Sequence, residues 1–216
     1  MTEAIDFETI PLRYLVPAAV RSRRKAVLDR VTALFLLLLI SPLLLLVAIM
    51  IRLDSRGPIL FRQDRHGRDG EIFSIYKFRT MTADASRQAF RQATVGDVRV
   101  TRFGRILRRT SVDELPQLLN VLRGEMSLVG PRPHPIALDR QYGKTIPNYM
   151  QRYAVRPGMT GLAQVCGHRG ATPTVEAMAA RIRLDCEYIS KWSFALDLRI
   201  LMRTPWHCFF EAGHDR

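Results

Sequence analysis

From Val31 to Ile51 the chain runs VTALFLLLLISPLLLLVAIMI, an apolar stretch with no charge and no polar face. A run of this length can reach across a bilayer, and the missing polar face argues against a helix of a soluble core. A secretory signal fits poorly, because a basic arm precedes the run and no A-x-A-like cleavage site follows it. At its middle stands Ser41-Pro42, where proline removes a backbone donor and crowds the preceding turn. Two dispositions answer to that break: a hairpin of two half-length helices dipping into one leaflet, and a kinked single span. Basic residues flank both ends, Arg21, Arg23, Arg24, Lys25 and Arg30 before and Arg52, Arg56, Arg62 and Arg65 after. Both flanks are drawn to the cytosol, which favours the hairpin. The Ser41 hydroxyl is the expected donor to the carbonyl that Pro42 frees.

Beyond the apolar run the period changes. ILFRQDR and EIFSIYKF alternate around a turn with His66-Gly67 and Asp69-Gly70, which predicts a β-hairpin. Thr82 to Gly96 is polar and reads as helix or loop; Leu115 to Leu122 and Val175 to Trp192 read as helices. In the tail, Leu196, Ile200, Leu201, Trp206, Phe209 and Phe210 lie among arginines, a pattern open to an interfacial helix or a core-packing one. Met1 to Val20 shows no periodicity and reads as a loose arm.

A formal net charge of +13 calls for an anionic partner. The apolar run and the lack of a recognition motif or interleaved aromatics argue against nucleic acid. Anionic lipid or a phosphorylated substrate remains. Cys166, Cys186 and Cys208 are odd in number and widely spaced, so neither a disulfide framework nor a zinc site is indicated.

Chemistry concentrates in DVRVTRFGRILRRTSVDELPQLLNVLRGEMSLVGPRP. A structural explanation is available: Ser111-x-x-Glu114 as a capping box, Asp113 as a dipole complement, Pro116 in a first turn. A functional one starts from the same place, since a carboxylate in a first helical turn is kept ionised and can act as a nucleophile. Approaching a diphosphate, it meets like charge worth roughly 1 to 4 kcal/mol at about 4 Å. Arg102, Arg105, Arg108 and Arg109 on one side and Arg132 on the other can supply counter-charge, as can a divalent metal on Glu114. Oxygen ligands and phosphate point to magnesium.

Several ordered motifs resemble the bacterial sugar transferases, the monotopic phosphoglycosyl transferases. They are Ser41-Pro42 in the apolar run, GPILFRQDRHGRDGEIFSIYKFRTM, the stretch through GPRP, VRPGMTGLAQV, and a late D-x-x-Y, WS and D-x-x-I-L series. The resemblance runs from about Lys25 to the C-terminus. It implies a re-entrant helix broken at Ser41-Pro42, a cytosolic active site on the bacterial inner membrane, and a two-step reaction. Asp113 attacks the sugar-linked phosphorus of a UDP-sugar, UMP leaves, and the phosphosugar passes to undecaprenyl phosphate. By the same resemblance Glu114 binds Mg2+, Arg108 acts at the phosphates, and Arg132, between Pro131 and Pro133, holds the nucleotide. Lys77 and Arg79 lie in the matching KFR motif, with strand-end charges on a solvated face as the plainer reading.

Gly167 to Thr172 with Glu176, Ala177, Met178 and Arg181 is similar to the glucose-phosphate branch, although Cys166-Gly167-His168-Arg169 departs from the Gly-Arg that many members carry after Gln-Val. UDP-glucose is therefore the expected donor, with UDP-galactose next and acetamido sugars behind. The absence of a long multi-span region points to a catalytic-core version of the family. The resulting expectation is an α+β, mostly α fold: residues 1–25 an arm, 26–52 the re-entrant membrane hairpin, and 53–216 a small cytosolic domain with a β-hairpin and interfacial amphipathic helices. Membrane lipid is an expected partner, nucleic acid is not, and a homodimer is compatible with the pattern.

Overall fold

The computed structural model describes residues 22–82 and 96–209. Residues 1–21 of the expected N-terminal arm, the polar segment after Thr82 up to residue 95, and Phe210 fall outside them, while residues 22–25, also assigned to the arm, form the cap and first turn of a helix. Ser22 caps the first helix by accepting from the Lys25 amide at 3.2 Å, and α1 then runs from Arg23 to Asp54. Two helices parted at Ser41-Pro42 were expected; the structure keeps Pro42 inside one helix. Pro42 cannot donate to the Leu38 carbonyl, and the Ser41 hydroxyl donates to that oxygen instead, at 2.9 Å. A side-chain bond thus replaces the missing backbone bond, and the helix continues through the proline.

Both halves of α1 pack on the same globular unit. Ala33 is fully buried in the main core with Leu36, Leu37 and Ile40 resting on it. Further along, Val47 and Ile51 are buried, flanked by Leu44 and Ala48. Leu38, Leu39, Leu45 and Leu46, each more than half exposed, form the outward apolar face. Polar bonds fasten the two ends. Lys25 Nζ lies 2.5 Å from Asp197 Oδ2, and Asp29 accepts from Ser127 Oγ at 2.6 Å. At the far end Arg79 donates to the carbonyls of Ile51, Ser55 and Arg56 at 3.2, 2.6 and 2.9 Å, satisfying oxygens that a helix C-terminus leaves without partners.

The predicted hairpin is present as antiparallel β1 (Leu60–His66) and β2 (Ile72–Phe78), in register from Leu60 opposite Phe78 to His66 opposite Ile72. Asp69 and Gly70 turn the chain at φ 57° and 81°, the left-handed conformations that an Asp-Gly pair accommodates. After α2 (Arg102–Thr110), the helix expected from Leu115 to Leu122 divides into a 3-10 turn, Val112–Gln117, and α3 (Leu118–Arg123). Asn120 ties α3 to β2: its Oδ1 accepts from the Tyr76 amide at 3.0 Å and its Nδ2 donates to the Ser74 carbonyl at 2.8 Å.

The rest comprises β3 (Ser127–Val129), α4 (Ile136–Tyr142), a 3-10 turn at Tyr149–Ala154, β4 (Gly158–Thr160), α5 (Leu162–Val165), α6 (Val175–Ser190) and α7 (Phe194–Phe209). β3 and β4 pair in parallel, Ser127 with Gly158 and Val129 with Thr160. Segments this short show no readable alternation. Their glycines carried the only signal, since a Cβ on Gly158 would fall 2.1 Å from the Gly130 nitrogen.

α6 spans two cores, placing Met178 and Ile182 against Tyr142, Tyr149 and Tyr153, and Tyr188 and Ile189 in the main core. α7 has one face packed on the core and another that is apolar and exposed. Ile200 is buried in the main core with Leu196 against it, while Leu198, Leu201, Met202 and Trp206 are exposed.

Candidate active site

Ser111 ends α2 in a left-handed conformation, φ 61° and ψ 15°, and starts the 3-10 turn. Its side chain does not cap that turn, so the capping box expected of Ser111 and Glu114 is not formed; the Glu114 amide bonds the Ser111 carbonyl at 3.1 Å. The tight reversal rotates the following carboxylates inward, leaving Asp113 and Glu114 each 8% exposed.

Glu114 meets three cations brought from distant parts of the chain. Its Oε1 accepts from Lys77 Nζ at 2.8 Å and from Arg132; its Oε2 accepts from Arg132 at 3.0 Å and from Arg169 at 3.2 Å. Arg132 therefore grips the carboxylate in the forked geometry that suits a guanidinium. Burial by itself would raise the Glu114 pKa, but Arg132, Lys77 and Arg169 together hold it well below the usual carboxylate range. Burial pushes the Lys77 ammonium down, with Glu114 opposing. Asp113 is electrostatically coupled to Lys77 and to Arg108. Arg108, in the last turn of α2, donates from Nε to Thr80 Oγ1 at 2.8 Å; its burial lowers its pKa and Asp113 counters that.

The loop that carries Arg132 is pinned at three consecutive carbonyls. Pro131 accepts from the Gly158 amide at 2.8 Å, Arg132 from the Arg152 guanidinium, and Pro133 from Arg65 at 3.2 Å. The flanking prolines fix their own φ and offer no backbone donor, so the loop holds one shape. Lys77, Arg108, Asp113, Glu114 and Arg132 thus gather in one place. Arg79 is elsewhere, buried at the C-terminal end of α1, and Ser41-Pro42 lies within that helix.

Sequence reasoning assigned Arg169 to sugar preference and did not place it against Glu114. It did not single out Arg152, and it read Arg65 only as flanking charge. A faint signal for Arg169 was present, as an arginine between Gly167 and Gly170 can bring its backbone close to other loops.

Lys77, Arg65, Arg108, Arg132 and Arg169 outnumber the two carboxylates they surround, which leaves the cluster with a positive balance. Asp113 and Glu114 are the two carboxylates of this cluster that could hold a magnesium ion together with substrate phosphates. Among the described residues no cluster of three or more His, Cys, Asp or Glu forms a cage without substrate.

Comparison with known proteins places the chain in a family. Residues 20–211 match the family model described as bacterial sugar transferase. The chain is 56% identical over 189 residues to the UDP-glucose:undecaprenyl-phosphate glucose-1-phosphate transferase of Caulobacter vibrioides, covering 88% of this chain and 71% of that protein. It is 46% identical over 204 residues to the protein of the same description in Escherichia coli K12, covering 94% of this chain but 44% of the relative. A third relative, the exopolysaccharide production protein PSS of Rhizobium leguminosarum, is 47% identical over 184 residues, 83% of this chain and 92% of its own length.

Proposed function

Because this chain belongs to the bacterial sugar transferase family, we propose that it transfers glucose 1-phosphate from UDP-glucose to undecaprenyl phosphate, releasing UMP. The observation that carries the reading is the Asp113-Glu114 pair buried among cations, beside relatives that carry that activity in their descriptions. UDP-galactose is the next donor to test. The product opens the assembly of an exopolysaccharide or glycoconjugate.

An Asp113 carboxylate oxygen attacks the phosphorus bonded to the sugar, the bond from that phosphorus to the bridging oxygen breaks, and UMP departs. A phosphate oxygen of undecaprenyl phosphate then attacks the same phosphorus and returns Asp113 to its carboxylate. Neither step needs a histidine, because phosphoryl transfer is governed by positioning and charge stabilisation. Arg132 and Lys77 hold the diphosphate, and Arg108 draws charge toward the reacting phosphorus. When magnesium is bound, Glu114 and the diphosphate oxygens would hold it, and it supplies neutralisation of the diphosphate charge. Four contacts already fill about the four lone-pair positions of the Glu114 carboxylate, so a magnesium ion held there would have to displace Lys77, Arg132 or Arg169 from one of them.

α1 lies in one leaflet of the bacterial inner membrane with the site at its cytosolic face. The support is that both halves of α1 pack on the same unit while the opposite face is apolar and exposed. A helix crossing the bilayer would carry one of its halves away from that unit. On α7, Leu198, Met202 and Trp206 are likewise exposed and alternate with Arg199 and Arg203, as on an interfacial helix.

The test is incubation with undecaprenyl phosphate, magnesium and a panel of UDP-sugars, reading UMP release. UDP-glucose should be turned over fastest, and mass spectrometry of the enzyme mixed with donor alone should find a hexose phosphate on Asp113. The variant Asp113→Asn should lose UMP release by roughly 10⁴-fold with its melting temperature preserved. An unchanged rate in that variant would remove Asp113 from the chemistry.

A further inference from the structure

Arg152 and Arg181 are buried cations that the reaction does not touch. Arg152, in the 3-10 turn before β4, donates to the Arg132 carbonyl and to His134 Nδ1, and its guanidinium lies 3.1 Å from Asp185 Oδ2. The Tyr149 and Tyr153 rings hold it at 5.5 and 5.7 Å. Arg181 sits one turn before Asp185 on the buried face of α6 and donates to the Gly170 carbonyl at 2.5 Å. Gly170 directly follows Arg169, and Arg169 and Arg132 both end on Glu114. One helix face therefore reaches both loops that deliver arginines to the site, through a single side-chain relay on each branch.

Resting on the reading of Arg132 as a nucleotide-sugar clamp, we infer that α6 is a bracket for donor binding, in which Arg152 and Arg181 are positioning residues for Arg132 and Arg169. Ordinary core residues would serve packing alone. Here both buried guanidiniums are aimed at backbone carbonyls in or beside the residues that carry the clamp arginines, and Asp185 offsets part of their charge from within α6. The Lys77 and Arg108 side of the site receives no bond from this helix: Lys77 comes from β2, and Arg108 bonds Thr80. Loss of the bracket should accordingly weaken the hold on the nucleotide-sugar and leave the lipid phosphate and the chemical step nearly as they were.

The experiment uses the full chain in detergent or nanodiscs, with UMP as the binding probe and UMP release as the separate turnover readout. Arg181→Met keeps the aliphatic packing and removes the donor to Gly170. Its Kd for UMP and its KM for UDP-glucose should rise about tenfold or more, as expected for loss of a charge-assisted bond. Its kcat and its KM for undecaprenyl phosphate should stay within about threefold, and Arg181→Lys should recover most of the UMP affinity. Arg152→Lys, which keeps the charge but cannot serve Arg132, His134 and Asp185 together, should shift the same two constants. Unchanged UMP affinity in both Arg181→Met and Arg152→Lys overturns the bracket. So does a fall in kcat that follows a lowered melting temperature with no lysine rescue, because that is a merely structural role. A parent protein that binds UMP but turns over no UDP-sugar would count against the proposed reaction, and the bracket would still be judged on the Kd values.

Discussion

At Glu114 one buried carboxylate collects bonds from Lys77, Arg132 and Arg169, none of which is its neighbour in the chain. Replacing it with Gln would leave those cations crowded together without a counter-charge. The expected cost is roughly 3 kcal/mol of stability, with UMP release falling by about 100-fold or more. The pH dependence has a definite sign. The folded pKa lies below the ordinary value of 4.5, so the unfolded chain takes up the proton first, and the stabilisation is complete above about pH 4.5. It is lost as pH falls through the lowered folded value. Melting curves of parent and Glu114→Gln should therefore be widest apart near neutrality and converge in acid; a gap that does not change with pH would contradict the assignment. Asp113 and Glu114 were legible as candidates because two acids follow an arginine run at a helix start. Their surroundings were not legible, since a capping box and a cation clamp share the same local sequence.

At the scale of elements, α1, α6 and α7 meet at Asp197. Its carboxylate accepts from Lys25 Nζ at 2.5 Å, Tyr188 OH at 2.8 Å and Trp192 Nε1 at 3.1 Å. The late motif of Tyr188, Trp192 and Asp197 thus fastens the membrane helix to the domain. Breaking a buried pair by neutralising one partner costs about 3 kcal/mol, so Asp197→Asn should melt about 6–12 °C lower in detergent. An unchanged midpoint would show that apolar packing alone holds α1. The β-hairpin was readable from its alternation and its Asp-Gly turn, and α6 from its helical period. The parallel β3–β4 pair was hidden because two three-residue strands depend on partners about thirty residues apart. Continuity of α1 through Pro42 was left open between a hairpin and a kinked span, and the Ser41 hydroxyl that makes it workable had been identified as the donor.

For the whole molecule, a net charge of +13 and the exposed apolar residues of α1 and α7 are what the proposed docking on an anionic membrane surface requires. If α1 enters and leaves one leaflet, epitope tags at both ends should resist external protease in intact cells and become cleavable only after lysis. Cleavage of one tag alone in intact cells would establish a span. Extraction should need detergent, since among the described residues the outward leucines of α1 are left more than half exposed.

The order of residues by itself determined the membrane-length helix, its marked centre at Ser41-Pro42, the hairpin and the carboxylate pair. Those features follow from periodicity, turn conformation and local charge, which act over a few residues. Only the tertiary structure decided which cations reach Glu114, that Arg79 closes the end of α1, and that α6 stands behind the two arginine loops. Such choices depend on which distant segments share a core, and a buried charge takes whichever partner that packing brings within hydrogen-bonding distance.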